Sequence, residues 1–248
     1  MTLNSFFVEN PRVALAFSGG VDSAFLLCAA KAANADVTAY YVKSAFQPEF
    51  ELRDAERLAM QLGAKMRVIE LDVLCDETIT ANPTDRCYYC KKRIFTAIVD
   101  AARADGYTML IDGTNASDDA SDRPGIRALQ ELSVRSPLRE CGITKAQVRE
   151  ESRKANLFTW DKPAYACLAT RIPTGERITA EKLKKTEKAE AFLESFGFRD
   201  FRVRLMGESA KLQVRGDQLG LLLEKRTEIL EGLRPLYANI LLDLEVRG

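Results

Sequence analysis

The sequence of 248 residues contains no histidine. This absence excludes zinc sites with imidazole ligands and catalytic pairs in which a histidine activates serine or cysteine. No apolar run approaches the about 18–20 residues that span a bilayer. The first nine residues, Met1 to Glu9, lack the basic and apolar regions of a signal peptide. The sequence therefore predicts a cytoplasmic protein with no membrane partner.

The chain also lacks an excess of charge of either sign. Its 36 Lys and Arg residues balance 36 Asp and Glu residues, which argues against a protein built mainly to coat a polyanion.

Six cysteines are present. Because cytoplasmic thiols are mostly reduced, these cysteines indicate metal binding or catalysis more than disulfide bonds.

Strand-like runs alternate with helical patterns in the first part of the chain. The strands are predicted at residues 13–17, 37–42, 65–73, 108–111 and 132–138, and the helices at 23–34, 50–62, 92–104 and 144–156. Such alternation indicates an α/β domain with a parallel sheet flanked by helices. Thr144 is the predicted N-cap of the last of these helices.

The pattern changes after residues 161–175, a loop that contains two prolines and a glycine. The elements predicted beyond it are a helix at 180–196, a hairpin of strands at 201–205 and 211–214, a helix at 219–233 and a strand at 240–245. We therefore predict two domains, residues 1–175 and a smaller α+β domain at 176–248 that serves substrate binding or oligomerisation.

The strongest motif is FSGGVDS at residues 17–23, between the first strand and the first helix. Gly19 and Gly20 permit a tight turn that brings backbone N–H groups to an anion, and the helix adds the positive end of its dipole. The hydroxyls of Ser18 and Ser23 can donate to the same oxygens. An ordinary glycine-rich turn is the alternative interpretation.

The remaining positions of this loop narrow its chemistry. Asp22 suits a polyphosphate only if Mg²⁺ bridges the two anions. No lysine follows the glycines, so the loop is not a Walker A motif. The predicted phosphate-binding residues are Ser18, Gly19, Gly20, Val21, Asp22 and Ser23.

The loop matches the SGGxDS signature of the PP-loop ATP pyrophosphatases, which cleave ATP to AMP and pyrophosphate while forming an adenylate. Further segments resemble the LarE family in order along the chain: DRCYYCKKRIF (85–95), DGTNASD (112–118), DRPGIRAL (122–129), SPL (136–138) and ACLATRIPTGERIT (166–179). The resemblance implies a PP-loop fold with ATP and Mg²⁺ as cofactors. It also implies sulfur transfer to a carboxylate of pyridinium-3,5-biscarboxylic acid mononucleotide, a step toward the nickel-pincer nucleotide.

The resemblance assigns three cysteines to sulfur chemistry. Cys87 and Cys90 form a C-x-x-C pair at the start of a helix, and Cys167 lies where the family places its sulfur-handling cysteine. Together they imply a [4Fe-4S] cluster with one iron open to sulfide. The alternatives are a structural zinc with Cys75, Cys141, a carboxylate or water as fourth ligand, a redox pair with Cys167 as sacrificial donor, and simple packing. Packing is the favoured interpretation for Cys28.

The same resemblance assigns further residues to the reaction. The expected catalytic residues are Asp22, Glu190 and the three cysteines. Residues expected at the nucleotide, besides the loop, are Lys43, Gly113, Thr114, Asn115, Asp118 and Arg127. Those expected at the substrate are Arg171, Arg202 and Arg204. Turn formation by the Asx and Thr residues and solvent-exposed positions for the arginines are the alternatives.

Two features depart from the family pattern: Gln213 occupies a position where an acidic residue is expected, and the closing LDLEVRG segment is short.

The expected partners are the small-molecule nucleotide and a sulfur donor, either sulfide or a desulfurase product, in a homo-oligomer without nucleic acid. A tRNA-thiolating enzyme, an ammonia-using synthetase and a non-enzymatic sulfur or cluster carrier are the alternatives. Residues 176–248 carry 14 basic and 13 acidic side chains, which provide no basic appended domain for tRNA.

Overall fold

A computed structural model of the protein describes residues 1–118 and 124–247. Asp122 and Arg123, the first two residues of the DRPGIRAL motif, therefore lie outside the described residues. Within the described ranges, no helix is both long enough and apolar enough to cross a membrane.

The chain forms two compact units. The first comprises Met1–Val73 and Asp85–Lys162, and the second comprises Leu74–Thr84 and Pro163–Gly248. The segment that carries Cys167 thus belongs to the second unit, whereas the C-x-x-C pair belongs to the first. The predicted functional division near residue 175 stays a prediction.

The helices, in chain order, are α1 (Leu3–Glu9), α2 (Val21–Ala32), α3 (Glu49–Gln61), α4 (Glu77–Thr80), α5 (Arg86–Ala104), α6 (Pro124–Glu131), α7 (Pro137–Glu140), α8 (Lys145–Lys154), α9 (Ala180–Glu194), α10 (Leu219–Glu224) and α11 (Arg226–Leu233). The strands are β1 (Arg12–Ala16), β2 (Asp36–Lys43), β3 (Lys65–Glu70), β4 (Leu110–Ile111), β5 (Arg202–Met206), β6 (Ser209–Gln213) and β7 (Asn239–Leu242). Short 3₁₀ turns occupy Leu168–Arg171 and Gly216–Gln218.

The first unit is built on a parallel four-stranded sheet with the order β3-β2-β1-β4. In the central strand, Leu15 pairs with Ala39 on one side and with Ile111 on the other. Val13 and Ala14 are fully buried like Leu15, which explains the continuous apolar run in β1. The predicted parallel sheet flanked by helices is confirmed.

The parallel arrangement brings the loops after three strands to one edge of the sheet. The FSGGVDS loop follows β1, Lys43 ends β2, and Asp112 directly follows β4. Ligands of open α/β sheets bind outside the carboxyl ends of the strands. The fold therefore places most of the expected nucleotide-binding residues on the edge where such ligands bind.

The second unit contains a three-stranded sheet with the order β5-β6-β7. β5 and β6 form the predicted antiparallel hairpin, in which Arg204 pairs with Lys211, and β7 joins β6 in parallel. The helix predicted at 219–233 is instead two helices. Lys225 separates them because its ψ of 13° leaves the helical range.

Two further predictions are corrected in the first unit. The strand predicted at 132–138 is not formed: Arg135 makes only an isolated bridge to Ile111, and Pro137 opens α7. The helix predicted from Lys92 begins at Arg86, so that both cysteines of the C-x-x-C pair are helical. Thr144 is the N-cap of α8, as predicted, and forms a capping box with Gln147.

Candidate active site

The FSGGVDS loop connects β1 to α2 and is held together by its own serines. Ser23 Oγ accepts a hydrogen bond from the Ser18 N–H at 3.3 Å and donates to the Gly20 carbonyl at 3.1 Å. Gly20 is the N-cap of α2 and has no side chain to occupy the first N–H groups of that helix. These groups and the helix dipole form an anion-binding end.

Two glycines let the surrounding backbone approach this loop closely. Gly19 has a φ of +70°, in the left-handed region that favours glycine, and a Cβ there would lie 3.1 Å from the Cβ of Ala55. Gly113 follows β4, and its Cβ would lie 2.9 Å from the backbone nitrogen of Ser23. The expected site residue Gly113 thus serves close packing against the first turn of α2.

We expect Gly113→Ala to raise the Kd for Mg-ATP about tenfold or more, because relieving the backbone overlap costs about 1–3 kcal/mol and displaces the loop. Isothermal titration calorimetry measures this change. Gly220→Ala is the matched control, since no atom lies within 4 Å of its added Cβ. An unchanged Kd in Gly113→Ala would show that the close approach does not shape the expected nucleotide site.

Asp22, in the first turn of α2, is held by two side chains from later in the chain. Lys145 Nζ lies 2.5 Å from Asp22 Oδ2, and Asn115 Nδ2 donates to Asp22 Oδ1 at 3.2 Å. Both Asp22 and Lys145 are partly exposed. The structure therefore brings the expected residues Asp22 and Asn115 together and adds a lysine to them.

The residues after β4 build the turn that the alternative interpretation anticipated. Asp112 accepts hydrogen bonds from the Thr114 hydroxyl and, at 2.6 Å, from the Ser136 hydroxyl. Asp118 Oδ2 accepts the Asn115 N–H at 3.0 Å. Asn115 serves both interpretations, because its backbone closes the turn while its side chain reaches Asp22.

The recorded partners of Lys43 and Arg127 are not residues of the FSGGVDS loop. Lys43 Nζ lies 2.6 Å from Glu49 Oε1 and donates to the Gln47 carbonyl at 2.7 Å. The guanidinium carbon of Arg127 lies 3.8 Å from the ring centre of Tyr88, a cation–π contact. Their nucleotide-binding roles stay predictions.

The C-x-x-C pair lies in the first turns of α5. Cys87 is exposed and Cys90 is half-buried, and the three-residue spacing places both thiols on one side of the helix. The buried Arg86 has its Nη2 at 3.8 Å from Cys87 Sγ. Thiolates are both metal ligands and nucleophiles, and a neighbouring guanidinium donor suits either role.

All six cysteines are thiols rather than disulfides. Cys28 packs against the core of the first unit, and burial raises the pKa of its thiol, in agreement with the packing role that we predicted. Across residues 1–118 and 124–247, no group of three or more Cys, Asp or Glu side chains is arranged to hold a metal ion. The cluster on Cys87, Cys90 and Cys167 thus stays a prediction.

The loop around Cys167 is held at its backbone by the arginines expected to bind substrate. Three carbonyl groups each accept a hydrogen bond from an arginine: Ala164 from Arg202 at 2.9 Å, Ala166 from Arg171 at 2.8 Å and Thr170 from Arg204 at 3.0 Å. The Cys167 carbonyl accepts the Thr170 hydroxyl at 2.8 Å. The second unit therefore brings Cys167 and its three expected arginines into one network.

Glu190, in α9, is the central acceptor of that network. Its buried carboxylate accepts four hydrogen bonds: Arg171 Nε at 2.7 Å, Arg171 Nη2 at 3.0 Å, the Tyr165 hydroxyl at 2.6 Å and the Val203 N–H at 2.9 Å. The Arg171 side chain is completely buried. Glu190 and Arg171 thus organise the Cys167 loop, and their direct roles in catalysis and substrate binding stay predictions.

Burial and mutual repulsion act on the three guanidinium groups. Burial, and then the charge of Arg171, lower the pKa of Arg202 to about 10, and the same two causes lower the pKa of Arg204. Burial acts to lower the pKa of Arg171 as well, but the hydrogen bonds and charge of Glu190 raise it above its ordinary value. A bound anion would relieve the repulsion on Arg202 and Arg204.

Gln213 connects Arg204 to the carboxylate of Asp243 through two hydrogen bonds. Its Oε1 accepts from Arg204 Nε, and its Nε2 donates to Asp243 Oδ2 at 2.7 Å. Lys211 Nζ lies 2.8 Å from the same carboxylate oxygen. The departure from the family pattern therefore inserts an amide between Arg204 and a carboxylate.

Two residues of the site were missed by the sequence analysis, Lys145 and Tyr165. A lysine at the first position of a helix lies at the unfavourable end of the dipole. This anomaly, immediately after the Thr144 N-cap, is the signal that could have identified Lys145. Tyr165 carries no such signal beyond its place two residues before Cys167.

Similarity to known proteins was found across most of the chain, although no protein-family model matches it. An uncharacterized protein of Synechocystis sp. is 39% identical over 223 residues, which cover 88% of this chain and 81% of that protein. The pyridinium-3,5-bisthiocarboxylic acid mononucleotide synthase of Lactiplantibacillus plantarum is 33% identical over 221 residues, with the same 88% of this chain and 80% of the synthase covered.

A more distant similarity is limited to part of the chain. The tRNA-specific 2-thiouridylase of Frankia alni is 31% identical over 189 residues, which cover 61% of this chain and 53% of that enzyme. The matched region is thus little more than half of the Frankia alni enzyme.

Proposed function

The chain belongs to the LarE family of ATP-dependent PP-loop sulfurtransferases, and from this premise we propose that it converts a carboxylate of a pyridinium mononucleotide into a thiocarboxylate. The observation that carries the proposal is the FSGGVDS loop at the N-terminus of α2, where backbone N–H groups and Asp22 meet at the carboxyl edge of the sheet. The relative from Lactiplantibacillus plantarum supplies the substrate class.

The first step uses the first unit. A carboxylate oxygen of the nucleotide attacks the α-phosphorus of ATP, and the bond from that phosphorus to the pyrophosphate oxygen breaks. The loop residues Ser18 to Ser23 hold the departing pyrophosphate through backbone N–H groups. Asp22 is the residue that would hold Mg²⁺, which when bound would supply positive charge to the leaving group.

The second step needs a nucleophile that requires no histidine. Hydrosulfide attacks the carbonyl carbon of the acyl adenylate, the bond from that carbon to the phosphate oxygen of AMP breaks, and loss of the S–H proton leaves AMP and the thiocarboxylate. Thiolates and hydrosulfide are strong nucleophiles near neutral pH. This accords with a chain that contains no histidine base. The cationic Arg202 and Arg204 serve the anionic nucleotide in the second unit.

Cys87, Cys90 and Cys167 would hold the [4Fe-4S] cluster. Their chemistry suits such a group, since thiolates are the ligands of iron–sulfur clusters, and two of the three cysteines occupy one side of a helix. When bound, the cluster would supply an iron with no protein ligand, at which sulfide can be held. Three further expectations for this protein remain predictions: that its reaction is a step toward the nickel-pincer nucleotide, that it is a homo-oligomer, and that it is cytoplasmic.

We expect anaerobically purified protein to contain about four irons per chain, as a three-cysteine cluster requires, and Cys87→Ala to lose them. Iron and sulfide quantitation with visible absorbance measures both. Cys75→Ala is the control that keeps its iron. Colourless protein that contains zinc, and loses it in Cys75→Ala as well, would contradict the cluster in favour of a structural zinc.

The proposed activity is tested with purified protein, Mg-ATP, sulfide and the biscarboxylic mononucleotide. We expect release of pyrophosphate and AMP that depends on the nucleotide. Replacement of the nucleotide by an unmodified tRNA tests the thiouridylase alternative. Pyrophosphate release with tRNA and none with the mononucleotide would overturn the proposal.

A further inference from the structure

We propose that Tyr165 is a positioning residue for Cys167, an inference that rests on the sulfur-transfer function proposed above. Tyr165 lies two residues before Cys167 and is not among the residues that the family resemblance assigns to the reaction. Tyr165 connects the segment before Cys167 to the carboxylate of Glu190, and the segment after Cys167 is held by the same carboxylate.

Tyr165 is fixed at both its hydroxyl and its ring. The hydroxyl donates to Glu190 Oε2 at 2.6 Å. The ring centre lies 4.6 Å from the guanidinium carbon of Arg171 and 5.3 Å from that of Arg202, both within the range of cation–π attraction. The phenol therefore bridges one buried anion and two cations.

The opposite end of the segment is tied to the same carboxylate through Arg171. This arginine donates to both carboxylate oxygens of Glu190 and, through Nη1, to the Ala166 carbonyl at 2.8 Å and the Thr170 hydroxyl at 2.8 Å. Residues on both sides of Cys167 thus converge on Glu190. This closure fixes the backbone at Cys167 and with it the direction of the Cα–Cβ bond that carries the sulfur.

Tyr165→Phe removes the hydrogen bond and keeps the ring between the guanidinium groups. Because a hydrogen bond to a buried charge is among the stronger ones, we expect kcat for thiocarboxylate formation to fall about tenfold. KM for the mononucleotide should stay within about twofold, since positioning of the cysteine affects the chemical step rather than substrate binding.

A second readout does not depend on the proposed reaction. The rate at which iodoacetamide alkylates Cys167 is measured in the full chain, after treatment with an iron chelator, by mass spectrometry of the peptide that contains it. We expect Tyr165→Phe to raise this rate about threefold or more because the loosened loop exposes the thiol. Tyr237→Phe is the matched control, another buried tyrosine of the second unit next to a cation, Lys185, and should leave both readouts at the wild-type values.

Each outcome decides for or against the positioning role. Unchanged alkylation of Cys167 in Tyr165→Phe overturns it, and so does a raised KM with unchanged kcat. Wild-type protein that forms no thiocarboxylate refutes the proposed function, while the alkylation rates still decide the role of Tyr165. If Tyr165→Phe does not fold, Thr170→Val takes its place, since the Thr170 hydroxyl links Arg171 to the Cys167 carbonyl, and it must raise the alkylation rate likewise.

Discussion

Replacing Asp22 with asparagine is expected to slow ATP-dependent pyrophosphate release about a hundredfold or more, because it removes the carboxylate that we propose holds Mg²⁺ on the leaving group. The substitution conserves side-chain size but removes the negative charge that Asn115 and Lys145 contact. A coupled assay for pyrophosphate at saturating ATP and mononucleotide measures the effect.

Asp36→Asn is the matched control for this prediction. Asp36 begins β2, so it lies at the amino end of the sheet, where parallel α/β folds do not bind their ligands. The control should keep the wild-type rate. If Asp22→Asn retains more than about half of the wild-type rate, the proposed role of Asp22 in holding Mg²⁺ is contradicted.

The second large effect concerns stability rather than rate. Glu190→Ala is expected to lower the free energy of unfolding by about 3–5 kcal/mol, the usual cost of removing one partner from a buried ion pair. The substitution leaves the fully buried Arg171 without its carboxylate and also deprives Tyr165 and the Val203 N–H of their acceptor. Urea denaturation followed by circular dichroism measures the loss.

Glu194→Ala provides the comparison, since Glu194 lies in the same helix, α9, but is exposed. It should unfold at nearly the wild-type urea concentration because exposed charges contribute little to stability. Equal stability of Glu190→Ala and Glu194→Ala would show that the Glu190 network does not hold the Cys167 loop in place.

Local patterns were sufficient for the strands of the two sheets and for most of the longer helices. The apolar run in β1 predicts a buried central strand, and the strand–glycine–helix order around Gly19 and Gly20 predicts the phosphate loop, because both depend on neighbouring residues alone. The strand predicted near Arg135 failed for the same reason. In that segment Arg135 makes a single bridge, and Pro137 and Leu138 begin α7, because tertiary pairing is not encoded in local alternation.

Contacts between distant residues were beyond the reach of the sequence. Lys145 meets Asp22 across more than a hundred positions, and no periodicity connects them. The sequence indicates that Arg202 and Arg204 alternate on a strand, yet it gives no sign that their guanidinium groups hold carbonyls of the Cys167 loop. The family resemblance led us to expect Arg202 and Arg204 at the substrate, but it did not reveal which atoms they contact.

The most direct test of sulfur transfer is the mass of the nucleotide product. The wild-type protein is incubated anaerobically with Mg-ATP, labelled sulfide and the biscarboxylic mononucleotide, and the product is analysed by mass spectrometry. We predict a nucleotide in which sulfur has replaced a carboxylate oxygen, together with AMP, and none of this product from Asp22→Asn. If folded wild-type protein leaves the nucleotide unchanged, the assignment of this chain as a sulfurtransferase for that substrate is contradicted.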